Sequence, residues 1–184
     1  IDQQNTILVN ENGDSLEIKN ASIKFENINF SYKSNLKNIV LKNINIDIVG
    51  KKMTALVGHS GSGKSTLLNL IPRIYDADSG EITIDNQKIK SLNLHSLRKE
   101  ISIVDQNTTL FDDTIFNNIK YAKPDAKNDE IFSAARISMC TDFIEKLDNK
   151  FQTVIGENGV KLSGGEKQRL SIARALLKNS KIIL

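Results

Sequence analysis

The sequence has no tryptophan, only two prolines and a single cysteine, Cys140. One thiol can neither close an internal disulfide nor furnish a cysteine metal cluster. Cys140 follows Met139 in an apolar helical stretch, which predicts a buried structural thiol. No apolar run approaches the ~18 residues that cross a bilayer, so no membrane span is expected within these residues. Nothing near Ile1, which polar, Asn-rich residues follow, resembles a secretory signal. Charge of one sign is not in excess. A net charge of +3 is too weak a bias to argue for a nucleic-acid partner.

What remains is 39% hydrophobic and 26% charged over 184 residues, the balance of a globular domain with its own core. Residues 1–20 read as a linker-like or weak edge segment, with a brief apolar trio at Ile7–Val9. Both ends read as cut, since the chain stops on "KIIL", the opening of a buried strand. Within "IKFENINFSY" the apolar phase slips near Glu26–Asn27, predicting a bulged strand. "INIDIV" alternates at Ile44, Ile46 and Ile48 as a half-buried strand does, whereas "MTALV" (53–57) reads as a strand buried on both faces. A helix is expected from Lys64 to a break near Pro72, a hairpin turn at Asp85–Asn86, and another core strand at "ISIV" (101–104). Asn128 is expected to cap a helix whose apolar face is Ile131, Phe132, Ala135 and Met139. A last helix runs from about Gly165 to Lys178, with Leu170, Ala173, Leu176 and Leu177 inward. Strands alternating with helices predict an α/β core with a partly parallel sheet. Neither internal repeat nor low-complexity tract is visible.

"GHSGSGKST" (58–66) fits G-x-x-x-x-G-K-[ST] between an expected strand and an expected helix. Gly61 and Gly63 let successive backbone N–H groups turn into one concavity that suits anionic oxygens. The helix start adds positive potential. Lys64 supplies a mobile charge for the β- and γ-phosphates, and the Ser65 hydroxyl is placed to ligate Mg²⁺. The candidate phosphate site is therefore Gly58, His59, Ser60, Gly61, Ser62, Gly63, Lys64, Ser65 and Thr66, with His59 at a free, exposed position. His95 has no neighbours in sequence that suggest catalysis. The loop alone fits a kinase, a GTPase or a motor.

"LSGGEKQR" (162–169) separates these. Ser163, Gly164 and Gly165 open a second helix with anion-binding character. One nucleotide needs one such cradle, so the second makes sense if it serves the nucleotide of another molecule. With both motifs in this order, residues 22–184 resemble the ATP-binding domain of ABC proteins, "LSGGEKQR" matching the family's signature with Glu166 where many members carry Gln. The resemblance implies a P-loop NTPase fold with a RecA-like core, an attached antiparallel β portion and a helical subdomain at about 107–165, the ATP-binding domain spanning 21–184.

The resemblance also implies roles. Tyr32 matches the aromatic residue that stacks on adenine, and Gln106 the glutamine that touches Mg²⁺ and the attacking water. Asp105 departs from the small residue or proline usual before that glutamine. Ser163, Gly164, Gly165 and Glu166 would meet ATP bound to a second copy, in a head-to-tail homodimer. "TVIGENG" (153–159) resembles the exporter segment whose glutamate, here Glu157, contacts the intracellular loops of a transmembrane domain, as does the loop after Gln106. "FDDTIFNNIKYA" and "DFIEKLDNKFQTVIGENG" look most like half-transporter exporters of the lipid A flippase and multidrug type. The implied parent is an ABC-type ATPase exporting a lipid or hydrophobic solute, using ATP and Mg²⁺ on the cytoplasmic face of the inner membrane. Its membrane domain would precede residues 1–20. The Walker B acid and catalytic glutamate of the family are not in the sequence, so the 184-residue chain is expected to be inactive by itself. A non-hydrolysing nucleotide-binding fragment, or a soluble ABC protein acting on ribosomes, are the alternatives. Compact spacing between the motifs excludes the coiled-coil insertions of repair and chromosome ATPases.

Overall fold

A computed structural model describes residues 7, 10, 12–32, 39–105 and 108–184. The chain forms two compact units that divide between Ile101 and Ser102.

In the first unit, β1 (Ile23–Ser31), β2 (Ile39–Ile48), β3 (Ser79–Ile84) and β4 (Gln87–Lys88) make an antiparallel sheet in the order β2-β1-β3-β4. The slip read near Glu26–Asn27 is present: register shifts follow Phe25 on one edge and Glu26 on the other. Asn27 and Asn43 take φ of 51° and 48°, a left-handed conformation that asparagine tolerates better than most residues. Their backbone N–H groups donate to the side-chain oxygens of Asn45 and Asn29, both at 2.9 Å. This Asn-rich stretch is thus a pair of interlocked bulges that twist the sheet. The twist lets Phe25, Ile28 and Phe30 all reach the core despite the broken alternation. Burial of each contributes about 1.5–3 kcal/mol.

Asp85 and Asn86, at φ of 47° and 64°, form the expected hairpin turn. Asp85 does more than turn the chain. Its carboxylate accepts the backbone N–H groups of Lys19, Asn20, Ala21 and Ser22, and the Ser22 hydroxyl, at 2.7–3.0 Å. Burial alone would push this carboxyl up, but the donors around it together hold it far below the usual carboxylate range.

Helix α1 (Lys64–Leu70) ends before Pro72 as expected, and α2 (Leu94–Lys99) is capped by the Asn93 side chain on Ser96 N–H. Strand β5 is short, Ile101–Ser102, and Ile103 is already 43% exposed. One expectation fails clearly. Met53–Val57 joins no ladder among the described residues, and Met53 and Val57 are 100% and 93% exposed. A strand buried on both faces needs hydrogen-bonded neighbours on both edges, and none of the described strands pairs with it.

The second unit is mostly helical: α3 (Ile115–Lys120), α4 (Asn128–Ile137), α5 (Thr141–Ile144) and α6 (Gly164–Lys178), then β6 (Ile182–Ile183). Leu184 N–H donates to Ser102 O, and Leu184 O accepts from Val104 N–H, the alternation of a parallel pair. Ile131, Ala135, Ile144, Ile155, Leu170 and Ala173 form its wholly buried centre. Two details of α4 differ from the sequence reading. Lys127, not Asn128, holds the cap position, its N–H donating to the Glu130 carboxylate at 2.9 Å. Ala134 replaces Phe132 and Met139 on the inward face, those two being 42% and 61% exposed. The helix stops at Ile137 and Met139 turns to φ 57°, which carries its side chain off the helical stripe. Cys140 is fully buried; burial pushes its thiol up, which keeps it inert.

Candidate functional site

Met53–Val57, in neither helix nor strand, lead into the 58–66 loop. Ser62 N–H donates to His59 O at 3.2 Å, closing a tight turn, and Gly61 and Gly63 stand at φ of 79° and 86°. A Cβ on Gly63 would lie 2.7 Å from Leu41 Cδ2 and 3.3 Å from Val40 O, so the loop also needs glycine there for close approach to β2. A Cβ on Gly61 would meet nothing within 4 Å, which leaves that side of the loop open. Lys64 Nζ lies inside the curl, donating to Gly58 O at 2.9 Å, His59 O at 2.7 Å and Ser62 Oγ at 3.2 Å. No acidic residue occupies the first turn of α1, so nothing there competes with an anion. Ser65 is exposed on that turn, while Thr66 is buried. His59 and His95 are both exposed.

Tyr32 stands just past β1. Its hydroxyl is 2.8 Å from Thr66 Oγ1, and its ring meets Phe30 edge-on at 4.9 Å and Tyr75 edge-on at 5.2 Å. The structure therefore brings Tyr32 to the helix that carries Lys64 and Ser65. Gln106 lies outside the described residues.

In the second unit Ser163 caps α6, as the motif predicts. Ser163 N–H and Oγ–H each lie 2.7 Å from Glu166 Oε2, and Glu166 N–H reaches back to Ser163 Oγ at 3.4 Å. This reciprocal box holds the Glu166 carboxyl below its ordinary range, chiefly through the Ser163 backbone N–H. A Cβ on Gly164 or Gly165 would meet nothing within 4 Å. Glu157 is exposed on a turn, Glu157–Gly159, flanked by Gly156 at φ 76° and Gly159 at φ 64°.

Several supporting residues escaped the sequence reading. Arg174 ties α6 to α3 and to the segment before it, donating to Thr109 O at 2.6 Å, Asn118 O at 2.7 Å and Asn118 Oδ1 at 2.7 Å. Asn118, 1% exposed, donates to the carbonyls of Phe111 and Thr114, both at 3.0 Å. Arg73, 2% exposed, forks onto both oxygens of Asp76 at 2.8 and 2.9 Å. A single Asn or Arg within a helix or turn carries no periodic signal of its contacts.

The chemistry of the loop suits a nucleotide triphosphate: open backbone, one mobile ammonium and no competing acid. The exposed Ser65 hydroxyl is a hard oxygen donor of the type Mg²⁺ prefers. Among the described residues no group of three or more His, Cys, Asp or Glu could hold a metal ion.

Comparison with known proteins identifies the family. The profile of the ABC transporter family matches residues 41–184. The chain belongs to that family, as its ATP-binding domain with the mixed α/β P-loop fold. It is 50% identical over 163 residues to the ATP-dependent lipid A-core flippase of Pasteurella multocida, covering 88% of this chain and 28% of that protein. With ABC transporter B family member 24, mitochondrial, of Arabidopsis thaliana it shares 48% over 169 residues, 92% of this chain and 25% of the relative. A bacterial Atm1-family ABC exporter solved with ATP bound superposes with a TM-score of 0.94 at 38% identity, over 99% of this chain and 32% of that one. The chain thus spans less than a third of the length of each of these proteins. Among the described residues no helix is long and apolar enough to cross a membrane.

Proposed function

We propose that this chain is part of the module of a longer protein that binds and hydrolyses ATP to power an exporter of a lipid or hydrophobic solute, at the cytoplasmic face of the inner membrane. The observation that carries the reading is the 58–66 loop, whose Lys64 ammonium is already cradled among loop oxygens at 2.7–3.2 Å. Phosphate oxygens of ATP replace those acceptors, a stronger, charge-assisted set. Gly58 to Gly63 would supply backbone N–H donors, Ser65 and Gln106 would hold Mg²⁺, Thr66 would line the pocket, and Tyr32 would stack on adenine. The cation neutralises charge on the β- and γ-phosphates when bound.

A second copy completes the site. Gly164 and Gly165, in the first turn of α6, each cost the helix up to about 1 kcal/mol relative to alanine. Their positions would leave room for a Cβ in this chain. Close approach by another molecule's nucleotide is what would require glycine there. Ser163 and Glu166 then face the γ-phosphate bound by the partner, and hydrolysis removes the bridge between copies. Within 21–184, the helical part at about 107–165 would receive a transmembrane domain through the loop after Gln106 and through exposed Glu157. Residues 1–20 would connect to that domain. The named relatives are transporters, which favours this reading over a non-hydrolysing fragment or a ribosomal ABC protein.

Titration with a fluorescent ATP analogue tests the core of the proposal. Wild type should bind with Mg²⁺ present and Lys64→Ala at least about tenfold more weakly; equal binding sinks the assignment.

A further inference from the structure

The Tyr32 ring is held by more than its own strand. Three contacts converge on it: Phe30 at 4.9 Å and 84°, Tyr75 at 5.2 Å and 88°, and the Thr66 hydroxyl at 2.8 Å. Phe30 is its neighbour on the chain, and Thr66 belongs to α1. Tyr75 comes from a different place, the irregular turn after α1, and is 39% exposed.

That turn is built to keep Tyr75 where it is. Arg73 takes φ 52° and is 2% exposed, and its guanidinium forks onto Asp76 across Ile74 and Tyr75. Ile74 N–H donates to Asn69 O at 3.0 Å, fixing the turn to the end of α1. Arg98 donates to Pro72 O at 3.0 Å and Arg73 O at 2.7 Å from the opposite side. The same turn also grips β1. Asp78 Oδ2 accepts Ser31 N–H at 2.8 Å, and Asp78 N–H donates to Asn29 O at 2.9 Å. The residue directly before Tyr32 is therefore bonded to the turn that presents Tyr75.

We infer that Tyr75 is a positioning residue for base recognition: with Thr66 it sets the angle of the Tyr32 ring, and so the preference for a stacked purine over a bare triphosphate. The inference rests on Tyr32 being the base platform. A flat side chain past the end of a strand rotates about two torsions, and stacking needs one orientation of the ring. Two edge-on rings, which also meet each other at 5.7 Å, and a hydroxyl tether at the tip leave it one. Tyr75 needs no contact with nucleotide to do this.

The test measures, in the full-length protein, affinities for Mg-ATP and for Mg-tripolyphosphate, and reads their ratio. Tyr32→Ala should lower the ratio by about tenfold or more, because stacking is lost altogether. Tyr75→Leu should lower it by about threefold to tenfold, the size of a lost edge-to-face contact, while Tyr75→Phe should stay within about twofold of wild type. If Tyr32→Ala lowers the ratio and Tyr75→Leu does not, Tyr75 has no positioning role and the platform stands. If both affinities fall together in Tyr75→Leu with the ratio intact, the residue is merely structural and the inference is overturned. An unchanged ratio in Tyr32→Ala removes the platform itself, and this inference with it. Should Tyr75→Leu not fold, Tyr75→Met is read by the same ratio and the same outcomes.

Discussion

Gly63 and Gly164 each stand at the start of a helix, α1 and α6, and their surroundings have little in common. Gly63 is left-handed at φ 86°, with Leu41 and Val40 of β2 pressed against the place a side chain would take. Gly164 is an ordinary helical position with open space around it. The loop before α1 thus needs glycine for its own backbone, whereas the start of α6 does not. The caps differ as well. Lys64 folds into its loop and leaves the helix start without an acid, while Ser163 is already engaged by the Glu166 carboxylate. The first start is shaped by what lies within the chain. The second has a freedom that the chain leaves unused, and this freedom suggests a ligand arriving from outside.

Alanine at each glycine breaks or sharpens that contrast, with the largest effect at Gly63. Gly63→Ala meets left-handed strain of about 1–2 kcal/mol and, in addition, a clash with Leu41. Thermal and urea unfolding should show a loss of about 2–3 kcal/mol, with ATP binding abolished. A variant as stable as wild type would mean the loop relaxes freely and the contrast is false. Lys64→Ala comes next on the scale: the fold should persist while ATP protection against heat falls sharply, since stabilisation by a ligand scales with its affinity.

Gly164→Ala should go the other way on stability. Helix propensity predicts a gain of up to about 1 kcal/mol, with nucleotide binding to 58–66 unchanged but ATP-dependent pairing of full-length copies reduced. Pairing by light scattering at wild-type strength would remove the argument for a partner's nucleotide at α6. Ser163→Ala should cost about 1 kcal/mol through loss of the cap.

The smallest effect is on pH dependence. Glu166 and Asp85 both have carboxyls lowered in the folded chain, so each stabilises fully above its unfolded value, about 4.3 and 3.9 respectively. That stability is lost as pH falls below those values toward the lower folded ones. Asp85→Asn should flatten the acid limb of a stability–pH curve more than Glu166→Gln does, because five donors converge on Asp85. Equal acid limbs in wild type and Asp85→Asn would show that the clamp contributes nothing.

Much of this was legible from local pattern. The bulge at Glu26–Asn27, the Asp85–Asn86 turn, the α1 stop before Pro72 and the Ser163 cap depend on backbone preferences that a few adjacent residues express. The α4 stripe was half right: Ile131 and Ala135 are at the centre of the core, but Phe132 sits one residue around the helix, and Met139 lies past its end. Periodicity says which residues share a face and does not say where the helix stops. "MTALV" shows the complementary limit. An apolar β-branched run expresses a preference for burial, yet a strand exists only where another strand bonds to it, and 53–57 has none among the described residues.

The sequence by itself determined the glycine-rich 58–66 loop, the capped helix start at Ser163 and the bulged hairpin sheet, because each is a local arrangement of glycine, hydroxyl, amide and charge that needs few neighbours. Tertiary structure alone decided that Asp85 gathers the backbone of 19–22, that Arg174 and Asn118 brace α6, and that Tyr75 stands edge-on to Tyr32. These depend on side chains from distant segments meeting at hydrogen-bond or ring-contact distance. No spacing along the chain encodes such a meeting until the sheet and the helices have packed.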